Sequence, residues 1–135
     1  MLGRLIYSST ALCDAAEGLR ICVEARQANA ARQITGALYL ADNLFFQYLE
    51  GEEVQLATLV NRIHKDKRHS NCAVLDSRLI SQPIFKSWPM AWLPRTVQTD
   101  LLTQAVVPRG SNPAAIDGTT AGTLFLALSQ SAEHH

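Results

Sequence analysis

One polar side chain near the middle of the sequence has the clearest potential for chemistry. Gln47 alternates with Phe45 and Leu49 in a strand-like run, so its amide is expected to point into a core. A buried amide that lacks hydrogen-bond partners costs about 1–3 kcal/mol, and its ordinary role is a structural bond to backbone. An amide also carries a donor and an acceptor and can exchange them by rotation or tautomerisation, which suits a hydrogen-bond switch.

Two further polar residues have ordinary structural interpretations. Tyr7 falls in the middle of the first strand-like run, where a tyrosine usually packs in a core with its hydroxyl bonded to a neighbour. Asn29 is expected at the end of the first helix, where asparagine is a common cap residue. Spacing alone favours these structural roles.

A charged cluster follows the second helical segment and consists of Arg62, Asp66, Arg68 and His69. Such a cluster ordinarily forms a solvated helix end, with its cations placed favourably against the helix dipole. Neither a Gly-rich phosphate loop nor a pair of carboxylates accompanies it in the sequence. A small enzyme is therefore a weak interpretation.

Composition restricts the functional classes further. The 135 residues include 12 Lys and Arg and 12 Asp and Glu, so the zero formal charge argues against a nucleic-acid binder. Cys13, Cys22 and Cys72 lack the spacing of a zinc site or a disulfide framework, so no metal is expected. No apolar run approaches the ~20 residues that span a bilayer, and no signal peptide is evident. We expect a cytoplasmic protein that does not bind membranes.

The elements that position these residues follow from hydrophobic periodicity. Strands are predicted at residues 2–9, 33–40, 44–50, 72–80 and 88–93, with Ala41-Asp42-Asn43 as a hairpin turn. A first helix begins after Ser9, Thr10 or Asp14, and a second spans Glu52 to Lys65. The core stripe predicted for the first helix is Leu12, Ala15, Ala16, Leu19, Cys22, Val23 and Arg26.

The order βαββαββ predicts an α+β, ferredoxin-like fold, in which a mixed sheet has two helices on one face. Beyond Thr96, two apolar segments flank a loop at residues 108–118 that is rich in Gly, Pro and Asn. We expect these segments to form short C-terminal helices that cover the other face of the sheet. A ferredoxin-like fold by itself leaves function open.

Five segments, taken in order, resemble the BLUF family of blue-light sensors that use FAD. They are Arg4-Leu5-Ile6-Tyr7-Ser8-Ser9, Asn29 with Ile34-Thr35-Gly36, Phe45-Phe46-Gln47-Tyr48-Leu49-Glu50-Gly51, Asp66-Lys67-Arg68-His69, and Phe85 with Trp88 and Met90. The resemblance covers residues 1–93. It implies a flavin-binding domain at residues 1–95 and a C-terminal helical extension at residues 96–135.

The resemblance implies roles for particular residues. Tyr7 would give an electron and a proton to a photoexcited flavin, while Gln47 would bridge the tyrosine hydroxyl and the flavin edge. Trp88 and Met90 would exchange their exposure with light and carry the signal. The residues implied in binding FAD are Asn29, Gln47, Arg62, Asp66, Arg68, His69, Ile21 and Ile34, with Leu38 as further lining.

Within that set the resemblance implies finer contacts. Asn29 would bond the carbonyl edge of the flavin, Arg68 a pyrimidine carbonyl, and His69 would lie nearer the ribityl-phosphate chain. Two positions depart from the family pattern. Ala28 stands where Asn or His is usual, and Pro89 stands where the residue usually has an N–H.

The implied light cycle has no net chemistry, so the resemblance predicts a sensor and not an enzyme. Its signalling state is a rearranged hydrogen-bond network that biases the fifth strand. A downstream protein in trans, or a neighbouring copy in a homo-oligomer, would read that change. The residues leave open whether FAD, FMN or riboflavin is held.

An alternative function is an RNA-recognition-like module, because that class has a similar topology and stacks bases on strand aromatics. Phe45, Phe46 and Tyr48 could serve in this way. The neutral charge and the absence of a basic aromatic strand argue against it.

Overall fold

The computed structural model describes residues 1–41, 43–86, 88–93, 95–107 and 115–131. Its elements are β1 (Leu2–Ala11), α1 (Ala15–Ala31), β2 (Thr35–Ala41), β3 (Leu44–Glu52), α2 (Glu53–Lys65), β4 (His69–Leu79), β5 (Ala91–Leu93), α3 (Val97–Val106) and α4 (Gly118–Leu128). Asp42 of the predicted hairpin turn and residues 108–114 of the predicted loop lie outside the described residues. No described helix is long and apolar enough to cross a bilayer.

The sheet has the strand order β4-β1-β3-β2-β5. All neighbours are antiparallel except β2 and β5, which run parallel over three residue pairs. Two helices, α1 and α2, lie between strands in the chain. The fold is α+β and ferredoxin-like, in the βαββαββ order that the sequence predicts.

Alternation along β3 divides the interior into two cores, as expected from a side-chain period of two. Phe45, Gln47 and Leu49 face α1 and α2, whereas Phe46 and Tyr48 face α3 and α4. The C-terminal helices therefore cover the second face of the sheet, which confirms the prediction. All three aromatic residues are buried, so they cannot stack on bases as the RNA-recognition alternative requires.

Two strands differ in extent from their predicted ranges. β4 begins at His69 and not at Cys72, because Thr10 and Ala11 of the long β1 pair with Ser70 and His69. β5 is limited to Ala91–Leu93 and does not include Trp88 or Met90. Pro89 has no N–H to give to a sheet ladder, so regular pairing begins only after it.

The two strands of the central hairpin also shift at their ends. β3 continues through Gly51 to Glu52, because Gly51 still pairs with Gly3 of β1. β2 begins at Thr35 and not at Gln33, since Gln33 takes a left-handed φ of 56° that a strand excludes. This turn reverses the chain between α1 and the sheet.

The buried face of α1 differs from the predicted stripe. Leu12 lies before the helix and is 60% exposed, and Val23 is 48% exposed. The residues buried on α1 are Gly18, Cys22 and Asn29, of which the predicted stripe contains only Cys22. A Cβ on Gly18 would lie 2.5 Å from Leu40 Cδ2, so the helix approaches the sheet through small residues. The amphipathic pattern of α2 holds, with Leu56 and Leu59 buried.

Helix α4 lies on a largely buried ion pair. Arg4 Nε donates to Asp76 Oδ2 at 2.6 Å, and both side chains are shielded from solvent beneath the helix. Cβ atoms on Gly118 and Gly122 would collide with Asp76 and with the Arg4 guanidinium, respectively. These glycines, one helical turn apart, allow α4 to pack directly on the two charges.

A buried carboxylate anchors the connection between β4 and β5. Glu50 accepts hydrogen bonds from the backbone N–H groups of Ile84 at 2.9 Å and Phe85 at 2.6 Å, and from Thr35 Oγ1 at 2.9 Å. Three donors offset the cost of burying this group. The connection that leads to Trp88 and Met90 is thereby fixed to the end of β3.

Candidate functional site

A cavity of about 250 Å³ lies between α1, α2 and the sheet. Its walls are largely apolar, and polar side chains reach it from both helices, from β1 and β3, and from the turn before β4. Such a combination suits a flat, mostly apolar ligand with a polar edge. The lining residues are Tyr7, Ile21, Glu24, Ala25, Ala28, Asn29, Leu38, Phe45, Gln47, Leu59, Arg62, Ile63, Asp66, Arg68 and His69.

Tyr7 and Gln47 form a buried hydrogen-bonded pair at the floor of the cavity. They are directly opposite each other on β1 and β3, so strand register alone brings the side chains together. The Tyr7 hydroxyl donates to Gln47 Oε1. Burial raises the pKa of Tyr7 well above its ordinary value, so the phenol stays protonated and remains a donor.

The other end of the Gln47 amide points at a methionine. Gln47 Nε2 lies 3.7 Å from the sulfur of Met90, which is itself fully buried. Thioether sulfur is a weak acceptor, so the amide orientation is set chiefly by the stronger bond to the Tyr7 hydroxyl. The amide therefore connects the cavity to the residues that precede β5.

Asn29 has one satisfied and one unsatisfied amide atom. Its Nδ2 donates to the carbonyl of Pro89 at 2.7 Å. Its Oδ1 is buried and has no hydrogen-bond partner among the described residues. Asn29 lies within the last part of α1 and not at its cap, which is Arg32. A buried acceptor in a cavity wall is suited to a ligand that donates an N–H.

His69 has both ring nitrogens engaged within the protein. Its Nε2 donates to the Ile63 carbonyl at 2.6 Å, and its Nδ1 lies 2.7 Å from Ser9 Oγ, which can donate to it. The ring also makes edge contacts with Tyr7 and Phe45. These contacts place the His69 ring beside Tyr7 in the cavity wall.

Arg68 is surrounded by carboxylates at the cavity wall. Its guanidinium donates to Asp66 at 2.8 Å, to Glu24 at 3.0 Å and to Glu17 at 3.4 Å. The hydrogen bonds from Arg68 lower the pKa of Asp66. The cluster joins the turn before β4 to α1, and the two glutamates carry no local sequence signal for this contact.

The structure brings most of the sequence-predicted residues to one cavity. Those that line it are Ile21, Asn29, Leu38, Gln47, Arg62, Asp66, Arg68 and His69, with Tyr7. Ile34 is buried in the same core but does not line the cavity. Trp88 packs against the core on the opposite face of the sheet, while Met90 lies on the cavity face. The described residues contain no group of three potential ligands that could hold a metal ion.

The family described as sensors of blue-light using FAD, or BLUF, matches residues 2–91, which is two thirds of the sequence. The chain belongs to the BLUF family. BLUF domains are flavin-binding sensor modules, so the family description agrees with an apolar cavity that has a few polar edge groups.

Solved BLUF structures have the same architecture over nearly the whole chain. The photo-activated state of BlsA is 31% identical, with a TM-score of 0.87, and covers 100% of this chain and 99% of its own. The dark state of BlrB is 26% identical, with a TM-score of 0.76 and 96% coverage of both chains. No curated protein matches the chain at a significant level.

BLUF domains also occur within larger proteins. A bacterial light-regulated adenylyl cyclase is 28% identical with a TM-score of 0.72, and the match covers 79% of this chain but only 33% of the cyclase. Klebsiella pneumoniae BlrP1, in a manganese and cyclic di-GMP complex, is 27% identical with a TM-score of 0.72, and the match covers 96% of this chain and 33% of BlrP1.

The two residues that depart from the pattern implied by the resemblance have definite positions. Ala28 lines the cavity with a small side chain, where the resemblance implies a larger polar residue. Pro89 supplies the carbonyl that Asn29 holds. The first therefore affects the shape of the cavity, and the second the anchoring of the segment before β5.

Proposed function

We propose that this chain is a blue-light photoreceptor that holds FAD and signals to a separate protein. The observation that carries this proposal is the buried hydrogen bond from Tyr7 to Gln47 in the wall of the cavity. A phenol and an amide that touch each other and a ligand site are the parts that a light-driven hydrogen-bond switch requires. Residues 1–95 would hold the cofactor, and residues 96–135 would cover the output face.

The cavity fits the isoalloxazine part of a flavin. The unpartnered Asn29 Oδ1 is an acceptor, and the polar edge of the ring system carries one N–H between two carbonyls. Since Asn29 Nδ2 is already bonded to Pro89, we assign Asn29 the role of accepting from that N–H. Ile21 and Leu38 supply apolar walls, and Arg62 lies at an exposed position where it can meet a charged tail.

When bound, the flavin would supply the light-absorbing group and an electron acceptor. Tyr7 would give the electron, and since its loss makes a phenol strongly acidic, the proton would leave toward Gln47 Oε1, at which it already points. Gln47 would then change its hydrogen bonds by rotation or tautomerisation, and Tyr7 would regain its electron and proton. No bond is made or broken overall, so this is sensing and not catalysis.

The change at Gln47 has a direct structural consequence. An amide that no longer presents Nε2 to the Met90 sulfur releases the contact between β3 and the residues before β5. Trp88, two residues away, packs in the core beneath α3 and α4. The signal would therefore leave through this segment and the C-terminal helices toward a downstream protein.

An absorption spectrum tests the proposal. Purified protein incubated with FAD should bind it, and blue light should shift the flavin band reversibly to longer wavelength, with recovery in the dark. The reason is that a rearranged Gln47 amide strengthens a hydrogen bond to the ring edge. A preparation that neither contains nor takes up FAD, or whose bound flavin shows no reversible shift, would refute the photoreceptor function.

Asn29→Ala should weaken FAD binding by about 1–3 kcal/mol, because it leaves a polar atom of the ligand unpaired in a buried site. The measurement is a fluorescence titration of FAD in the dark. Gln27→Ala is the matched control, since it makes a similar truncation at an exposed position of the same helix. Equal affinities for the two variants would show that Asn29 does not contact the ligand.

A further inference from the structure

The residues that precede β5 are held by their carbonyl oxygens. Three consecutive carbonyls accept hydrogen bonds from other elements: Trp88 from the Gly36 N–H at 3.0 Å, Pro89 from Asn29 Nδ2 at 2.7 Å, and Met90 from Arg26 Nε at 2.9 Å. We call residues 88–90 the tethered segment. Regular strand pairing starts only at Ala91, so these bonds fix the backbone where the ladder does not.

Two of the three tethers come from one face of α1. Arg26 and Asn29 are three residues apart and lie side by side on the helix, and Cys22, one turn earlier, places its Sγ 3.7 Å from the same Met90 carbonyl. Arg26 is partly buried, and a hydrogen bond from a cation is stronger than a neutral one. It is therefore the strongest of the donors on the Met90 carbonyl.

The Met90 side chain needs such a tether. Methionine has three rotatable bonds and a weakly accepting sulfur, so its contact with Gln47 Nε2 cannot fix its own position. We propose that Arg26 is a positioning residue for the light response, which holds the Met90 carbonyl so that the thioether stays against Gln47. The role of Arg26 in the light response rests on the proposed function, whereas its positioning of Met90 in the dark does not.

The tether favours the dark arrangement, because the contact between Gln47 and Met90 exists only there in the proposed cycle. Removing Arg26 destabilises that arrangement relative to the light-adapted one. The transition state for dark recovery already contains part of the Gln47–Met90 contact. It is therefore destabilised relative to the light-adapted state as well, and recovery becomes slower. We expect recovery to be slower by about threefold or more, which is the change in rate that follows when the transition state loses part of one charged hydrogen bond.

The chain offers a convenient probe, because its only two methionines are Met1 and Met90. Met1 is 76% exposed and Met90 is 1% exposed, so two methyl resonances of very different character are expected after ¹³C-methyl methionine labelling. Met90→Leu assigns them. The test compares Arg26→Leu, which keeps an apolar stem and removes the donors without adding a methionine to the spectrum, with Arg20→Leu. Arg20 is an exposed arginine of the same helix, paired with Glu17.

In the dark, the Met90 resonance should move toward that of an exposed methionine in R26L and stay unchanged in R20L. With FAD bound, recovery after blue light should be slower in R26L alone. If R26L does not fold, R26A tests the same bond with the residue that favours helix most. An unchanged Met90 resonance and unchanged recovery in a folded Arg26 variant would overturn the inference. A shifted resonance in a protein that takes up no FAD would refute the photoreceptor function alone.

Discussion

Replacing Tyr7 with phenylalanine should abolish the light-induced spectral shift while FAD stays bound. The substitution removes one hydroxyl from a fully enclosed ring and keeps the packing of that ring against the core. Phenylalanine has no proton to give to Gln47 Oε1, and it is a far poorer electron donor than a phenol. The measurement is the difference spectrum of the FAD-loaded variant before and after blue light.

Tyr39→Phe is the matched control for this prediction. Tyr39 is equally buried in the neighbouring part of the sheet, but its hydroxyl donates to Asp100 on the side of α3 and α4. Tyr39→Phe removes the same hydroxyl group on the opposite face of the sheet, so the light-induced spectral shift of this variant should equal that of the wild type. A Tyr7→Phe variant that cycles normally would show that Tyr7 is a core tyrosine and that another group reduces the flavin.

Gly36→Ala should be the most damaging small substitution for stability, with a loss of about 3 kcal/mol in the free energy of unfolding. A Cβ at Gly36 would overlap the carbonyl oxygen of Tyr48 and lie 3.3 Å from Leu49 Cα. These are backbone atoms of the adjacent strand, which cannot rotate away. The Gly36 N–H also donates to the Trp88 carbonyl, so the tethered segment should loosen as β2 moves.

Gly3→Ala is the control for this loss, and urea unfolding followed by circular dichroism is the measurement. Gly3 lies in β1 between two paired strands, yet the nearest atoms to its Cβ position are 3.4–3.6 Å away, which is ordinary contact. We expect its stability to be unchanged or higher, because alanine lowers the entropy of the unfolded chain. Similar stabilities of the two variants would show that β2 can move away from β3 at little cost.

The sequence was informative wherever one local pattern decided the outcome. Alternation in β3 placed Gln47 between Phe45 and Leu49 on a buried face, and the structure confirms it. The same logic correctly predicted the order of strands and helices and the cover supplied by α3 and α4. Register then brought Tyr7 beside Gln47, although single-strand patterns cannot show which residues pair.

Other features depend on contacts between distant elements. The α1 stripe is correct at Cys22 but misses the other two buried residues, because Gly18 permits close packing and Asn29 bonds to the Pro89 carbonyl, neither of which an apolar pattern indicates. The tethered segment was assigned to a strand because Trp88 and Met90 are apolar. Its donors come from Arg26 and from other residues far away in the sequence, so no local pattern could reveal them.

The packing of α4 on the Arg4–Asp76 ion pair restricts how this helix can move. Gly118 and Gly122 lie over Asp76 and Arg4, respectively. Any other residue type at these two positions would place a Cβ against the Asp76 carboxylate or the Arg4 guanidinium. A shift by one residue would put Thr119 and Thr123 there, so the helix has a single permitted register. Departure of α4 would also expose a desolvated ion pair to water and leave its apolar face uncovered. A structural change that displaces this helix must therefore detach the whole helix, because positions in which it slides along the sheet bring side chains into collision with Asp76 and Arg4.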